Sequence, residues 1–158
     1  MSLFDIFKKD KKSNINFSEL SKGKNPKVFD YNKEKYLLAE YNRRKNNKDK
    51  SGVYYSALPL ISFYYKFRNL DNKYLDECIK YCNICISCLS SPYMKPYLDE
   101  GAYVPVFKRL WIIYINKKQY DKALFITDEA LKYNQDKEYF CKKKQEIIEK
   151  EANKIELI

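Results

Sequence analysis

The chain has 158 residues, 45% of them hydrophobic and 16% aromatic, enough to bury one core without disulfide staples and too few for several domains. Its formal charge is +10, from 31 basic and 21 acidic residues, and it has no histidine, which excludes histidine-based acid–base chemistry and most serine or cysteine triads. Three Gly and five Pro leave few turns and favour long helices over a many-stranded sandwich.

Residues 1–29 are polar and rich in Lys, Ser and Asn apart from the apolar cluster Leu3–Phe7, and they read as a flexible basic arm. The arm is followed by a single all-helical domain over residues 30–158. Its first helix is expected after Asp30, with Asn32 as a capping residue and Tyr36, Leu37, Leu38 and Tyr41 at helical spacing. A charged linker, Arg43–Lys50, follows. The next helix carries Tyr54, Leu58, Ile61, Ser62 and Tyr65 on one face and runs to about Phe67. Pro59 sits inside it, so the helix either starts near Pro59 or kinks there.

Beyond the turn Arg68–Lys73, a helix is expected to about Leu89, ended by Ser90-Ser91-Pro92. A linker holding Pro96, Gly101 and one helical turn around Tyr97 leads to Pro105, placed for the first turn of another helix. That helix ends near Asn116 or Lys117. Its partner runs from Tyr120 to Tyr133, and a last helix spans Lys137–Ile155 with Phe140, Ile147, Ile148, Ala152 and Ile155 as its apolar face.

Two of these helix pairs share a spacing. Phe107-x2-Leu110-x3-Tyr114 followed by Tyr120-x2-Ala123-x6-Ala130 gives one helix an inner apolar face and the next a small-residue surface. Leu58-x2-Ile61-Ser62-x2-Tyr65, then Cys78-x3-Cys82-x2-Cys85, is a degenerate copy with a longer turn. Across about residues 54–148 the chain resembles a group of bacterial tetratricopeptide-repeat-like proteins. The resemblance implies a short α-solenoid of two helix pairs with flanking capping helices, and it carries over no catalytic residue. Two departures stand out: Trp111 occupies a position usually small, and no Pro closes the unit near Gln135. Either the helices splay around Trp111 or its indole fills a gap against a neighbouring element.

Cys78, Cys82, Cys85 and Cys88 recur at four, three and three residues. Thiolates at this spacing could share an ion in pairs, but four along one straight helix cannot close a tetrahedron. They read as small buried hydrophobes, and Cys141 stands alone. No catalytic residue, metal ligand or cofactor is assigned, and adjacent acidic pairs such as Asp99-Glu100 diverge on a helix. An odd cysteine count without a small disulfide scaffold, and no secretory leader, fit a reducing, cytoplasmic setting.

The expected function is therefore non-enzymatic: a scaffold that binds another protein or peptide, preferably acidic, along the concave side of the repeats. Phe63, Lys66 and Phe67 in the first pair, and Lys108, Ile112, Ile115 and Asn116 in the second, are the candidate contact residues. The bland alternative packs these apolar residues on flanking helices or on a second copy of the chain. A basic nucleic-acid-binding module using Lys, Arg and exposed Tyr is the second reading. A membrane-peripheral adaptor using the first nine residues is the third, with no run of ~20 apolar residues to span a bilayer.

Overall fold

The computed structural model describes residues 28–156. Seven helices and no strand occur among them: α1 (Tyr31–Asn46), α2 (Lys50–Lys66), α3 (Asn72–Cys88), α4 (Lys95–Asp99), α5 (Val106–Asn116), α6 (Tyr120–Lys132) and α7 (Lys137–Glu156). The fold class is all-α. None of these helices is long and apolar enough to cross a membrane. The apolar cluster Leu3–Phe7 and most of the basic arm lie outside the described residues.

Each long helix packs on its neighbours in sequence: α1 on α2, α2 on α3, α3 on α5, α5 on α6 and α6 on α7. Three of the links are one turn used three times. The backbone N–H groups of Asp49, Gln119 and Gln135 donate to carbonyls five residues back, those of Arg44, Tyr114 and Ala130, at 3.3, 2.8 and 3.0 Å. The residue before each, Lys48, Lys118 and Asn134, is left-handed, with φ of 55°, 56° and 54°. This closure satisfies the last carbonyls of a helix and usually employs Gly at the left-handed site. Here Lys and Asn take that place, so a sequence with three glycines gives no hint of the repetition.

The starts of α1, α2 and α3 follow side-chain chemistry. The carboxylates of Asp30, Asp49 and Asp71 accept the N–H of Lys33, Gly52 and Lys73 at 2.9, 2.8 and 2.9 Å. Each satisfies a donor that the first turn leaves without an intrahelical partner. Asp30, not Asn32, therefore caps α1; Asn32 lies inside the helix. Helix α2 begins at Lys50, nine residues before Pro59, and runs through the proline. Ser62 is exposed, whereas Leu60, Phe63 and Tyr64 are buried. The buried face of α2 is wider than a single stripe because α1 and α3 both pack on it.

The core has two chemistries. Between α1, α2 and α3 it is aromatic: Phe29 stacks on Tyr74 with centroids 4.2 Å apart, and Tyr64 stacks on Tyr81 at 5.9 Å. Tyr41 meets Tyr81 edge-on at 5.1 Å. Alongside lie Cys78, Cys82, Cys85 and Cys88, all buried and free. Cys85 Sγ sits 3.6 Å from the Tyr54 carbonyl, bringing α3 against α2. Burial pushes the thiols of Cys82, Cys85 and Cys88 up, so they stay protonated and pack as small apolar groups. Between α5, α6 and α7 the core is aliphatic and aromatic, built on Phe107, Leu110, Ile126, Phe140 and Ile147 around Ala123 and Ala130.

Candidate partner-binding surface

Side chains tie α2 to α5 and α5 to α7 in addition to the sequential packing. Two guanidinium groups lie against the ring of Tyr65, near the end of α2. Arg109 of α5 sits 3.7 Å from its centroid and Arg68 sits 4.0 Å away. Arg68 also donates to the Tyr65 carbonyl at 2.7 Å, which fixes its side chain over the ring. Arginine stacked on an aromatic face keeps a planar fork of donors in a defined direction.

On the other side of α5, Trp111 meets Tyr139 of α7 at 6.4 Å and Phe107 meets Phe140 at 6.5 Å, both edge-on. Lys143 lies 4.9 Å over Trp111, and Lys108 lies 4.3 Å over Tyr139. Trp111 thus fills the space between α5 and α7, and its Nε1 is buried without a hydrogen-bond partner. Lys108 Nζ donates to Asp136 at 2.7 Å, and the other Asp136 oxygen accepts the Tyr139 N–H at 3.2 Å. The Lys108 hydrogen bond holds the Asp136 carboxyl below its usual range, outweighing partial burial. Burial raises the Tyr139 hydroxyl, helped by Glu146 and Asp136 nearby.

The seven residues expected to contact a partner do not form one exposed patch. Phe63 and Phe67 are buried, with Phe29 covering both at centroid distances of 5.2 and 4.9 Å. The chain's own Phe29 occupies the space in front of them. Lys66 and Asn116 are exposed; Lys108, Ile112 and Ile115 are half-buried. Phe107, Leu110 and Tyr114 point into the core, which leaves the α5 contact residues on its outer side. Among the described residues no group of three or more His, Cys, Asp or Glu side chains is placed to hold a metal ion.

Two features escaped the reading of the sequence. The first is the Arg68–Tyr65–Arg109 stack, whose members are 44 positions apart in the chain at the widest, counting from Tyr65 to Arg109. The second is Gln135, buried where the repeat pattern would place a proline. Its Oε1 accepts the Val104 N–H at 2.8 Å, and its Nε2 donates to the carbonyls of Ala102 and Tyr133 at 3.0 and 3.2 Å. One amide thus joins the segment entering α5 to the end of α6. Gln135→Ala should cost about 2 kcal/mol, because the buried Val104 N–H loses its partner and cannot reach water. Urea denaturation measures this; a loss below about 0.5 kcal/mol would show that another group replaces the amide.

No protein-family model matches the chain, and no curated protein or solved structure matches it.

Proposed function

We propose that the protein is a non-enzymatic scaffold that binds an acidic segment of another protein on the side formed by α2, α5 and α7. In this reading α2–α3 and α5–α6 are two tetratricopeptide-like pairs, and α1 and α7 cap them. The order of packing supports it, as do the contacts that bring Tyr65 to α5 and Trp111 to α7.

The observation that carries the proposal is the Arg68–Tyr65–Arg109 stack. Two guanidinium groups held against one ring concentrate positive charge where their side chains are already ordered, so less side-chain freedom is lost on meeting a carboxylate-bearing segment. Exposed Lys66 extends the basic character along α2, while half-buried Ile112 and Ile115 offer apolar contact on α5. An extended or helical peptide with acidic residues beside one or two apolar anchors matches that chemistry.

The test is a selection of random displayed peptides on the immobilised, nuclease-treated full chain. Enrichment of peptides that combine Asp or Glu with an apolar residue is expected. The reading fails if no peptide family is enriched. It also fails if single-stranded oligonucleotides bind in preference, with an affinity that collapses as salt rises.

A further inference from the structure

Helices α2 and α5 stand apart from the others in charge. Neither the 17 residues of α2 nor the 11 of α5 include an Asp or Glu, although the chain has 21 of them. Every other helix among the described residues carries at least one. The cations of the two helices are Lys50, Lys66, Lys108 and Arg109, and Arg68 follows just after α2. Lys108 is offset by Asp136, 2.7 Å away. Asp71, the carboxylate nearest to Arg68 in sequence, caps α3 and pairs with Lys73 at 3.8 Å. Positive charge is thus concentrated beside Tyr65.

The guanidinium carbons of Arg109 and Arg68 lie 3.7 and 4.0 Å from one ring centroid. The two are therefore at most about 8 Å apart, close enough for one anion to accept charge-assisted bonds of about 2.7–2.9 Å from both. Arg68 spends an Nη1 hydrogen on the Tyr65 carbonyl, so its Nε and Nη2 donors remain for a ligand. A carboxylate has two oxygens in one plane and is matched by a single guanidinium fork. A phosphate monoester carries a charge of about −2 at neutral pH and three acceptor oxygens, and it accepts from two forks at once.

We infer that Arg68 and Arg109 form a phosphate-binding site, and that the partner segment is anchored there by a phosphorylated side chain. The inference rests on the acidic-segment reading of this face and names the group that sets the segment's register. Tyr65 is the base against which both guanidinium groups are held. Exposed Lys66, the next residue to Tyr65, adds charge at the edge of the site. Ile112 lies one helical turn beyond Arg109, and Ile115 one turn further, both half-buried. An apolar side chain close to the phosphorylated one would meet them.

Binding of degenerate peptide pools to the full chain tests the inference. The pools share their flanking positions and differ only at a fixed central phosphoserine, glutamate or serine. The phosphoserine pool should bind at least about tenfold more tightly than the glutamate pool. Arg68→Lys and Arg109→Lys keep the charge but remove a fork, and each should cut that preference to about threefold or less. The chain has no histidine, the side chain that ordinarily titrates just below neutrality, so a pH dependence there belongs to the ligand. Between about pH 7.5 and 5.5, affinity for the phosphoserine pool should fall about fourfold as a dianion with a second pKa of about 6 takes up a proton. The glutamate pool should keep its affinity over that range. Equal binding of the phosphoserine and glutamate pools overturns the phosphate site and leaves the acidic-segment reading standing; binding of neither removes both. Vesicles containing a phosphoinositide that bind more tightly than the phosphoserine pool would assign the arginines to a lipid headgroup and overturn the inference as well.

Discussion

Phe29→Ala is expected to destabilise the fold by about 3 kcal/mol, equivalent to a fall of roughly 10 °C in melting temperature. Phe29 lies before the first helix, in a stretch whose composition reads as an arm. Yet its ring stacks on Tyr74 and contacts Phe63 and Phe67, joining the start of α1 to the end of α2 and the start of α3. Removing it opens a cavity between three aromatic rings and uncovers Phe63 and Phe67. Loss of packing is the larger part of the effect, since Asp30 still caps α1. Phe29→Leu should recover about half of the loss by refilling volume without the stacked geometry. A loss under about 1 kcal/mol for the Ala variant would mean that the ring contributes little to the core.

Trp111→Ala should have a comparable or larger effect, about 3–4 kcal/mol. The indole is packed between α5 and α7, against Tyr139 and beneath Lys143. No acceptor of the chain reaches its buried Nε1, and within the protein the residue stabilises through buried area and ring contacts. The effect should be local in character: amide exchange ought to rise in α7 first, while α2 and α3 keep their protection. Trp111→Phe should retain most of the stability, because no polar contact is lost. Uniform loss of protection across all helices would show instead that α7 and the α2–α3 pair unfold as one unit.

Much of the helical architecture was legible because hydrophobic period carried it. The spacing of Phe107, Leu110 and Tyr114, and of Ala123 and Ala130, marks residues that are in fact buried. The cysteine stripe of α3 was legible for the same reason: small residues recurred where close helix approach needs them, and all four are buried. Period fails where a helix has more than one neighbour. On α2 it favoured Ser62 over Leu60 and Phe63, because a single stripe cannot represent contact with both α1 and α3. On α7 it merged two stripes that differ by one residue, one facing the core and one facing outward.

The candidate surface was less legible still. Phe63 and Phe67 hold the spacing of contact residues, but only the folded chain shows Phe29 in front of them. The pairing of Arg109 with Tyr65 depends on how α5 sits beside α2, and no local pattern contains that relation. The same holds for Gln135, whose partners at Ala102 and Val104 precede it by more than thirty residues. A composition rich in Lys and Tyr hides such sites, since any one cation or ring resembles many others.

Arg68, just beyond the end of α2, and Arg109 of α5 are proposed to recognise an acidic partner segment. The most direct measurement is the affinity of one fluorescently labelled acidic peptide, taken from the selection, for the wild type and for Arg68→Glu/Arg109→Glu at fixed ionic strength. The double variant should bind at least about tenfold more weakly, the loss of one or more charge-assisted contacts, while its helix content by circular dichroism stays that of the wild type and its melting temperature falls by only a few degrees as the two ring contacts are lost. Equal affinity of the two proteins for the peptide would contradict the claim and place recognition elsewhere on the molecule.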